Sequence, residues 1–181
     1  VNRDMMKKGL MIGLMGAMTL VACNQEKEKV EDQFNYTVEQ FADLQLLRFK
    51  VHGFEELPLK QKELVYYLSE AALQGRDILF DQNGKYNLII RKMLEVVYTD
   101  YQGDRSDVNF KNFETYLKRV WFSNGIHHHY ATDKFIPAFS QDFFTAALQS
   151  VPQDKLPADK AALLAELTPV IFDANIAAKR V

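Results

Sequence analysis

The chain has 181 residues, a formal net charge of −2 and 48% hydrophobic residues. This length is sufficient for a domain that buries a core of its own. The charge is close to balanced and no basic patch is apparent, so we expect no nucleic-acid partner. A chain with one cysteine cannot form an intramolecular disulfide.

The first residues are typical of an export signal. Two lysines precede the apolar run Gly9–Leu20, and Leu-Val-Ala then leads into Cys23. The run is shorter than the roughly 20 residues that a transmembrane helix needs. The Leu-Val-Ala-Cys step resembles a bacterial lipobox, which implies that residues 1–23 are a lipoprotein signal peptide and that Cys23 carries the lipid. The alternative for Cys23 is an incidental thiol. We expect an exported protein anchored by lipid to the membrane of the bacterial cell envelope, on its periplasmic or surface side.

Residues 24–33 are predicted to form a polar tether. The segment mixes both charges and has no apolar periodicity. A spacer of this kind lets a folded body stand away from a membrane surface. The folded part is therefore expected within residues 34–181.

The spacing of apolar residues from Phe34 onward is helical nearly throughout, which predicts a mainly α fold. A first helix is predicted from Thr37, whose hydroxyl forms a capping box with Gln40. Its apolar stripe consists of Phe41, Leu44, Leu47 and Val51, and His52-Gly53 ends it.

A second helix is predicted to start at Pro58, where proline loses no hydrogen bond. Its apolar stripe continues toward Phe80 and consists of Leu64, Tyr67, Leu68, Ala71 and Ala72. A turn is predicted at Asp81–Lys85 because of its composition. The same periodicity predicts a third helix over Leu88–Tyr98.

Further helices follow a break at Gly103–Asp107. One is predicted to carry the stripe Phe113, Tyr116, Leu117, Val120 and Trp121, with Trp121 and Phe122 in the core. Ser140 is the expected cap of the next helix. A last helix is predicted over Ala158–Leu167, closed by Pro169. The β-branched residues after it favour a strand at Val170–Phe172.

Two blocks of the sequence resemble one known family. One block contains the Ser-Asn step Ser123-Asn124, a glycine turn, the aromatic Tyr130, a Thr/Asp pair and Lys-Phe-Ile-Pro ending at Pro137. The other is Leu57–Ala72, with its run of Tyr, Leu, Ser and Ala-Ala. Both resemble, in the same order, the N-terminal lobe of dipeptidyl peptidase III, the M49 family of zinc metallopeptidases.

The resemblance implies a zinc enzyme that removes dipeptides from the free N-termini of short oligopeptides. The family's zinc site combines a His-Glu-x-x-Gly-His helix with a later Glu-Glu-x-x-Ala-Glu helix, and neither motif occurs in this sequence. We therefore expect zinc and all catalytic groups to lie outside this chain. The chain is then the helical N-terminal portion of a two-lobed metallopeptidase and an incomplete domain. Its expected partners are the oligopeptide substrate and the remainder of the same enzyme. By itself it is expected to be inactive.

The resemblance also points to substrate-binding residues. In the family, the aromatic residue before the Thr/Asp-Lys-Phe segment lies in the cleft between lobes and contacts the side chain at the substrate's N-terminus, and Tyr130 matches it. The resemblance makes His127 and His129, in the same loop, further candidates for substrate contact. On a strand, residues i and i+2 share one face. The same two imidazoles suit a metal only with a third ligand, which the sequence does not name. Loop histidines that only form hydrogen bonds at a cleft rim are the other interpretation.

A second class of function remains open. The chain is alternatively a lipid-anchored helical protein that binds peptides or a partner surface and has no catalytic activity. A stop codon directly after Val181 and a cooperatively folded product would favour this alternative.

Overall fold

A computed structural model of the protein describes residues 34–180. The predicted signal peptide, the lipidated Cys23 and the tether lie outside the described residues. The chain divides into two units, Val1–Tyr36 and Thr37–Val181, and the described helices and strands belong to the second. This unit is mainly α-helical with one small sheet, which confirms the predicted fold class at that level.

The predicted first helix is wrong, since the segment forms a hairpin. Strand β1, Thr37–Phe41, pairs in antiparallel fashion with β2, Leu44–Leu47. The Thr37 hydroxyl accepts a hydrogen bond from Gln45 across the hairpin (3.0 Å) and does not cap a helix. Burial alternates along both strands, so the period is two and not 3.6.

Two ion pairs bind this hairpin to a distant helix. Glu39 in β1 pairs with Lys118 Nζ at 2.6 Å, and Asp43 in the turn pairs with Arg119 at 2.5 Å. These contacts come from residues more than 70 positions away. Tertiary ion pairs to distant residues therefore override the local helical spacing of this segment, and no short window of sequence contains both partners.

Helix α1 spans Leu59–Gln74 and begins after Pro58, as predicted. Gly75 ends it, so the predicted continuation toward Phe80 is a separate helix, α2, at Arg76–Gln82. No residue of α1 is buried. Its apolar stripe is thus exposed, with Tyr67 at 68% and Leu68 at 60% relative accessibility.

Four helices form the core: α3 (Asn87–Asp100), α4 (Val108–Ser123), α5 (Gln141–Ser150) and α6 (Lys160–Phe172), with a short 3₁₀ turn at Gln153–Lys155. Side-chain caps at Asp107, Ser140 and Asp159 begin α4, α5 and α6. The fully buried residues at the centre include Ile90, Met93, Leu94, Phe113, Leu117, Phe144, Leu148, Leu167 and Ile171. A cluster of this size removes enough apolar area from water to hold the four helices together.

The prediction that α6 ends at Pro169, with a strand after it, is wrong. Pro169 lies inside α6, and Val170 and Ile171 are buried helical residues. Together with Leu163 and Leu167 they form one face at helical spacing. Burial of this face outweighs the hydrogen bond that proline removes. Among residues 34–180 no helix is long and apolar enough to cross a membrane.

Candidate functional site

The candidate site is the loop that joins α4 to α5. It begins at a sharp turn, because Asn124 adopts a left-handed conformation (φ 52°) and Gly125 follows with φ 152°. Backbone amides of both residues donate back to α4, Gly125 N to Val120 O at 3.0 Å. This is the usual chemistry of a helix C-terminus. It turns the chain inward, so that Ile126 is buried.

Two asparagines hold the base of the loop. Asn87, the first residue of α3, accepts from Ile126 N through Oδ1 (3.1 Å), and Asn83 Nδ2 donates to Asn124 O (3.2 Å). A methyl group on Gly125 would meet Asn87 Nδ2 at 2.3 Å. Only glycine fits here, so the loop packs tightly against the start of α3.

Backbone hydrogen bonds and one imidazole fold the loop back on itself. Phe135 N donates to Ile126 O (2.8 Å) and His128 N to Asp133 O (2.7 Å). His128 Nδ1 accepts from the amides of Tyr130 (3.2 Å) and Ala131 (3.0 Å). Since Nδ1 accepts, the neutral imidazole carries its proton on Nε2. The side chain of His128 therefore closes the turn at the tip.

Stacked rings cover the outside of this tip. His129 lies 4.3 Å from the Tyr130 ring and 4.5 Å from His128, centroid to centroid, and Phe122 of α4 meets His129 edge-on at 5.0 Å. We call these four residues, Phe122, His128, His129 and Tyr130, the aromatic ledge. Tyr130 is 85% exposed. Burial lowers the pKa of His129 first, with the neighbouring His128 as a second cause.

His127 does not belong to the ledge. It is 5% exposed, and its Nε2 lies 2.7 Å from the carbonyl oxygen of Ala177. Burial lowers its pKa, which the hydrogen bond to Ala177 opposes. The structure thus brings Tyr130 and His129 together and separates His127 from them. The expected strand alternation fails because the chain turns at residues 129–131, and the ladder before the turn is reduced to an isolated bridge between His127 and Lys134.

A concavity of about 290 Å³ lies beside the aromatic ledge and shares Phe122 with it. Its walls come from the hairpin and from α4, and consist of Glu39, Phe41, Leu46, Lys118, Trp121 and Phe122. The prediction that Trp121 and Phe122 are core residues is wrong, since each is 38% exposed. Consecutive side chains on a helix point about 100° apart. Two adjacent aromatic residues directly after Val120 therefore indicate that one of the two rings points away from the core.

No metal centre can be built from the described residues. Within residues 34–180, no three His, Cys, Asp or Glu side chains are grouped as metal ligands. The side chains present therefore do not fit a zinc ion, and none of them is assigned a step in zinc chemistry. The neighbours Asp133 and Lys134 have separate partners: Asp133 accepts from Lys179 Nζ, and Lys134 Nζ donates to the carbonyl of Ile176 at 2.8 Å.

Comparison with known proteins adds no identification. The chain matches no protein-family model and no curated protein.

Proposed function

We propose that the aromatic ledge binds a side chain of a short oligopeptide, and that the chain is the N-terminal part of a zinc-dependent dipeptidyl peptidase. The observation that carries the binding proposal is the exposed Tyr130 ring, held against His129 at 4.3 Å. The peptidase assignment is supported by the resemblance of two sequence blocks to the dipeptidyl peptidase III family. Lipid anchoring through Cys23 belongs to the same proposal.

The ledge suits an apolar peptide side chain for two reasons. An aromatic ring offers a large contact area, and the Tyr130 ring already rests on His129, with 4.3 Å between the ring centroids. The adjoining concavity, with Phe41, Leu46 and Trp121 in its walls, offers a second apolar contact to the same peptide. Pockets that bind small molecules combine apolar walls with few polar groups in this way.

The chain's own residues bind and orient the peptide in this proposal, and none of them is assigned a catalytic role. Zinc, when bound by the remainder of the enzyme, would polarise the scissile carbonyl and activate water. The remainder of the enzyme would also cover the apolar face of α1, which includes Leu64, Tyr67 and Leu68. An exposed apolar surface of this length on a helix is typical of an interaction face.

The binding proposal is tested with the chain and an unblocked tetrapeptide whose first two side chains are apolar. Titration followed by NMR should locate the peptide at Tyr130 and His129. Tyr130→Ala should weaken binding about fivefold, because an aromatic contact and its buried area contribute on the order of 1 kcal/mol. Tyr67→Ala is the matched control, since Tyr67 is also exposed but lies on α1. Equal affinity of the wild type and Tyr130→Ala would remove the ledge from the proposal.

The peptidase proposal needs a separate experiment. The codons that follow Val181 in frame are read for His-Glu-x-x-Gly-His and a later Glu-Glu-x-x-Ala-Glu. Both motifs together would support a zinc dipeptidyl peptidase, and the full-length protein should then release dipeptides only when zinc is present. An immediate stop codon would count against it.

The alternative, a lipid-anchored binding protein without catalysis, is favoured by one observation. Helices α3 to α6 close a core around Phe113, Leu117 and Phe144 without help from another protein. In that case peptide binding at Tyr130 persists while no form of the protein hydrolyses the peptide.

A further inference from the structure

We propose that a second pocket, on the other flank of the loop base, binds a small oxyanion such as phosphate or a carboxylate. The pocket measures about 200 Å³ and lies where the start of α3, Ile126-His127 and residues 177–180 meet. It shares no lining residue with the aromatic ledge. Oxyanion binding at this pocket does not depend on the peptide-binding function.

The charges around this pocket have one sign. Lys85, Lys179 and Arg180 line it, and no aspartate or glutamate does. Lys179 is partly compensated by an ion pair with Asp133, which lies outside the lining. Lys85 contacts only the Tyr86 side chain among the described contacts, its Nζ lying 3.3 Å from the hydroxyl. Lys85 and Arg180 are therefore the cations that an anion would bind.

Two buried side chains in the lining also have unmatched polar atoms. Asn87 Nδ2 and His127 Nδ1 have no hydrogen-bond partner among the described residues, although their residues are only 2% and 5% exposed. A buried unpaired polar atom costs about 1–3 kcal/mol, so such atoms usually mark a missing partner. Both atoms belong to residues of one pocket.

The backbone of the pocket adds to this preference. Helix α3 begins at Asn87, and its N-cap residue Tyr86 provides no side-chain cap and its first turn no acidic residue. A helix N-terminus carries a partial positive charge and unpaired amides that favour an anion. The basic side chains, the unmatched Asn87 Nδ2 donor and a helix start without a side-chain cap thus favour the same ligand. An oxyanion would relieve the repulsion among the cations and supply an acceptor for Asn87 Nδ2, whereas the neutral His127 ring offers it no donor.

His127 would respond to such a ligand. Its Nε2 is used by Ala177 O, so Nδ1 becomes a donor only when the ring is protonated. The cations that face the ring are Lys134 and Arg180, both of which disfavour that protonation. A bound oxyanion opposes them, and binding of a carboxylate, whose own charge does not change in this range, should accordingly tighten as the pH falls from about 7.5 to about 6.

The test is a titration of the chain with sodium phosphate at constant ionic strength, followed by the amide and imidazole NMR signals of Asn87 and His127. We expect saturable shifts at both residues. Lys85→Gln and Arg180→Gln should each weaken phosphate binding at least fivefold, whereas Lys60→Gln, at an exposed lysine of α1, should leave it unchanged. Shifts that do not saturate, or equal affinity in all three variants, would overturn the proposal.

The source of the oxyanion is distinguished by two further titrations. An acetylated dipeptide with a free C-terminal carboxylate is compared with its C-terminal amide. If only the free carboxylate competes with phosphate, the pocket takes a peptide C-terminus. If neither competes while phosphate binds, the ligand is phosphate itself, and the inference stands in both cases.

Discussion

Replacement of Gly125 by alanine tests the tight packing at the base of the loop. The added methyl group would lie 2.3 Å from Asn87 Nδ2 and 2.6 Å from its Cγ. Asn87 is buried and cannot swing into solvent. The amide must therefore shift and release Ile126 N, whose hydrogen bond to Oδ1 measures 3.1 Å.

Two terms set the size of the effect. A non-glycine residue at φ 152° costs about 1–3 kcal/mol. Loss of the buried hydrogen bond to Ile126 adds about 1–3 kcal/mol. We expect Gly125→Ala to lower the free energy of unfolding by about 3 kcal/mol. Gly53→Ala is the matched control, because Gly53 also has positive φ (81°) but no atom within 4 Å of the added carbon, so that about 1 kcal/mol is expected.

Urea unfolding followed by circular dichroism measures both variants. Asn87→Ala separates the two terms, since it removes the atoms that the new methyl group would meet. In the Asn87→Ala background, Gly125→Ala should cost only its backbone strain, which makes the pair strongly non-additive. A cost for Gly125→Ala no greater than that for Gly53→Ala, or additivity of the Gly125 and Asn87 substitutions, would refute this explanation of the packing.

Three other predictions concern the core, the histidine and the hairpin. Phe113→Ala should lower the free energy of unfolding by about 3–5 kcal/mol, because the ring is fully buried, and the exposed Phe49→Ala should change it by less than about 0.5 kcal/mol in the same urea experiment. Burial holds the pKa of His127 below its ordinary 6.5, so between these two values the unfolded chain binds a proton that the folded chain does not. The free energy of unfolding should therefore fall as the pH drops through 6.5 toward the folded pKa. His127→Gln should reduce this pH dependence when unfolding is measured over a series of pH values. Glu39 raises the pKa of Lys118, mainly through their hydrogen bond. Glu39→Gln should therefore lower the pKa of Lys118 in an NMR titration and reduce the free energy of unfolding by less than about 1 kcal/mol. An unchanged pKa would mean that the ion pair is absent in solution.

The helices of the core could be predicted from sequence because their signals are local. Ser140 was the predicted cap of α5, and the apolar faces of the core helices recur at 3.6-residue spacing. The hairpin could not be predicted, because Glu39 and Asp43 find their partners in α4, far along the chain. A period of two over five residues is easily mistaken for part of a helical stripe.

The site was predicted in part. Tyr130 and His129 were named from the resemblance, and the structure places their rings 4.3 Å apart, which leaves their role in binding to be tested. Phe122 was missed as a ledge residue because it was assigned to the core. Three identical histidines differ only in environment: His127 is buried, His128 accepts two amides and His129 stacks. No pattern in the sequence encodes that division, which results from the turn at residues 129–131.

An exposed tyrosine alone is weak evidence of a binding site, since apolar atoms make up much of any protein surface. Tyr67 illustrates the point, because it is 68% exposed and its ring meets only Tyr66 among the described aromatic contacts. Tyr130 differs in that its amide is bonded to His128 and its ring rests on His129. A ring that rests on a neighbouring ring while most of its surface stays exposed offers a ligand apolar area at a defined place. That combination of exposure and ring packing, and not exposure alone, is the physical reason to look for the peptide at Tyr130.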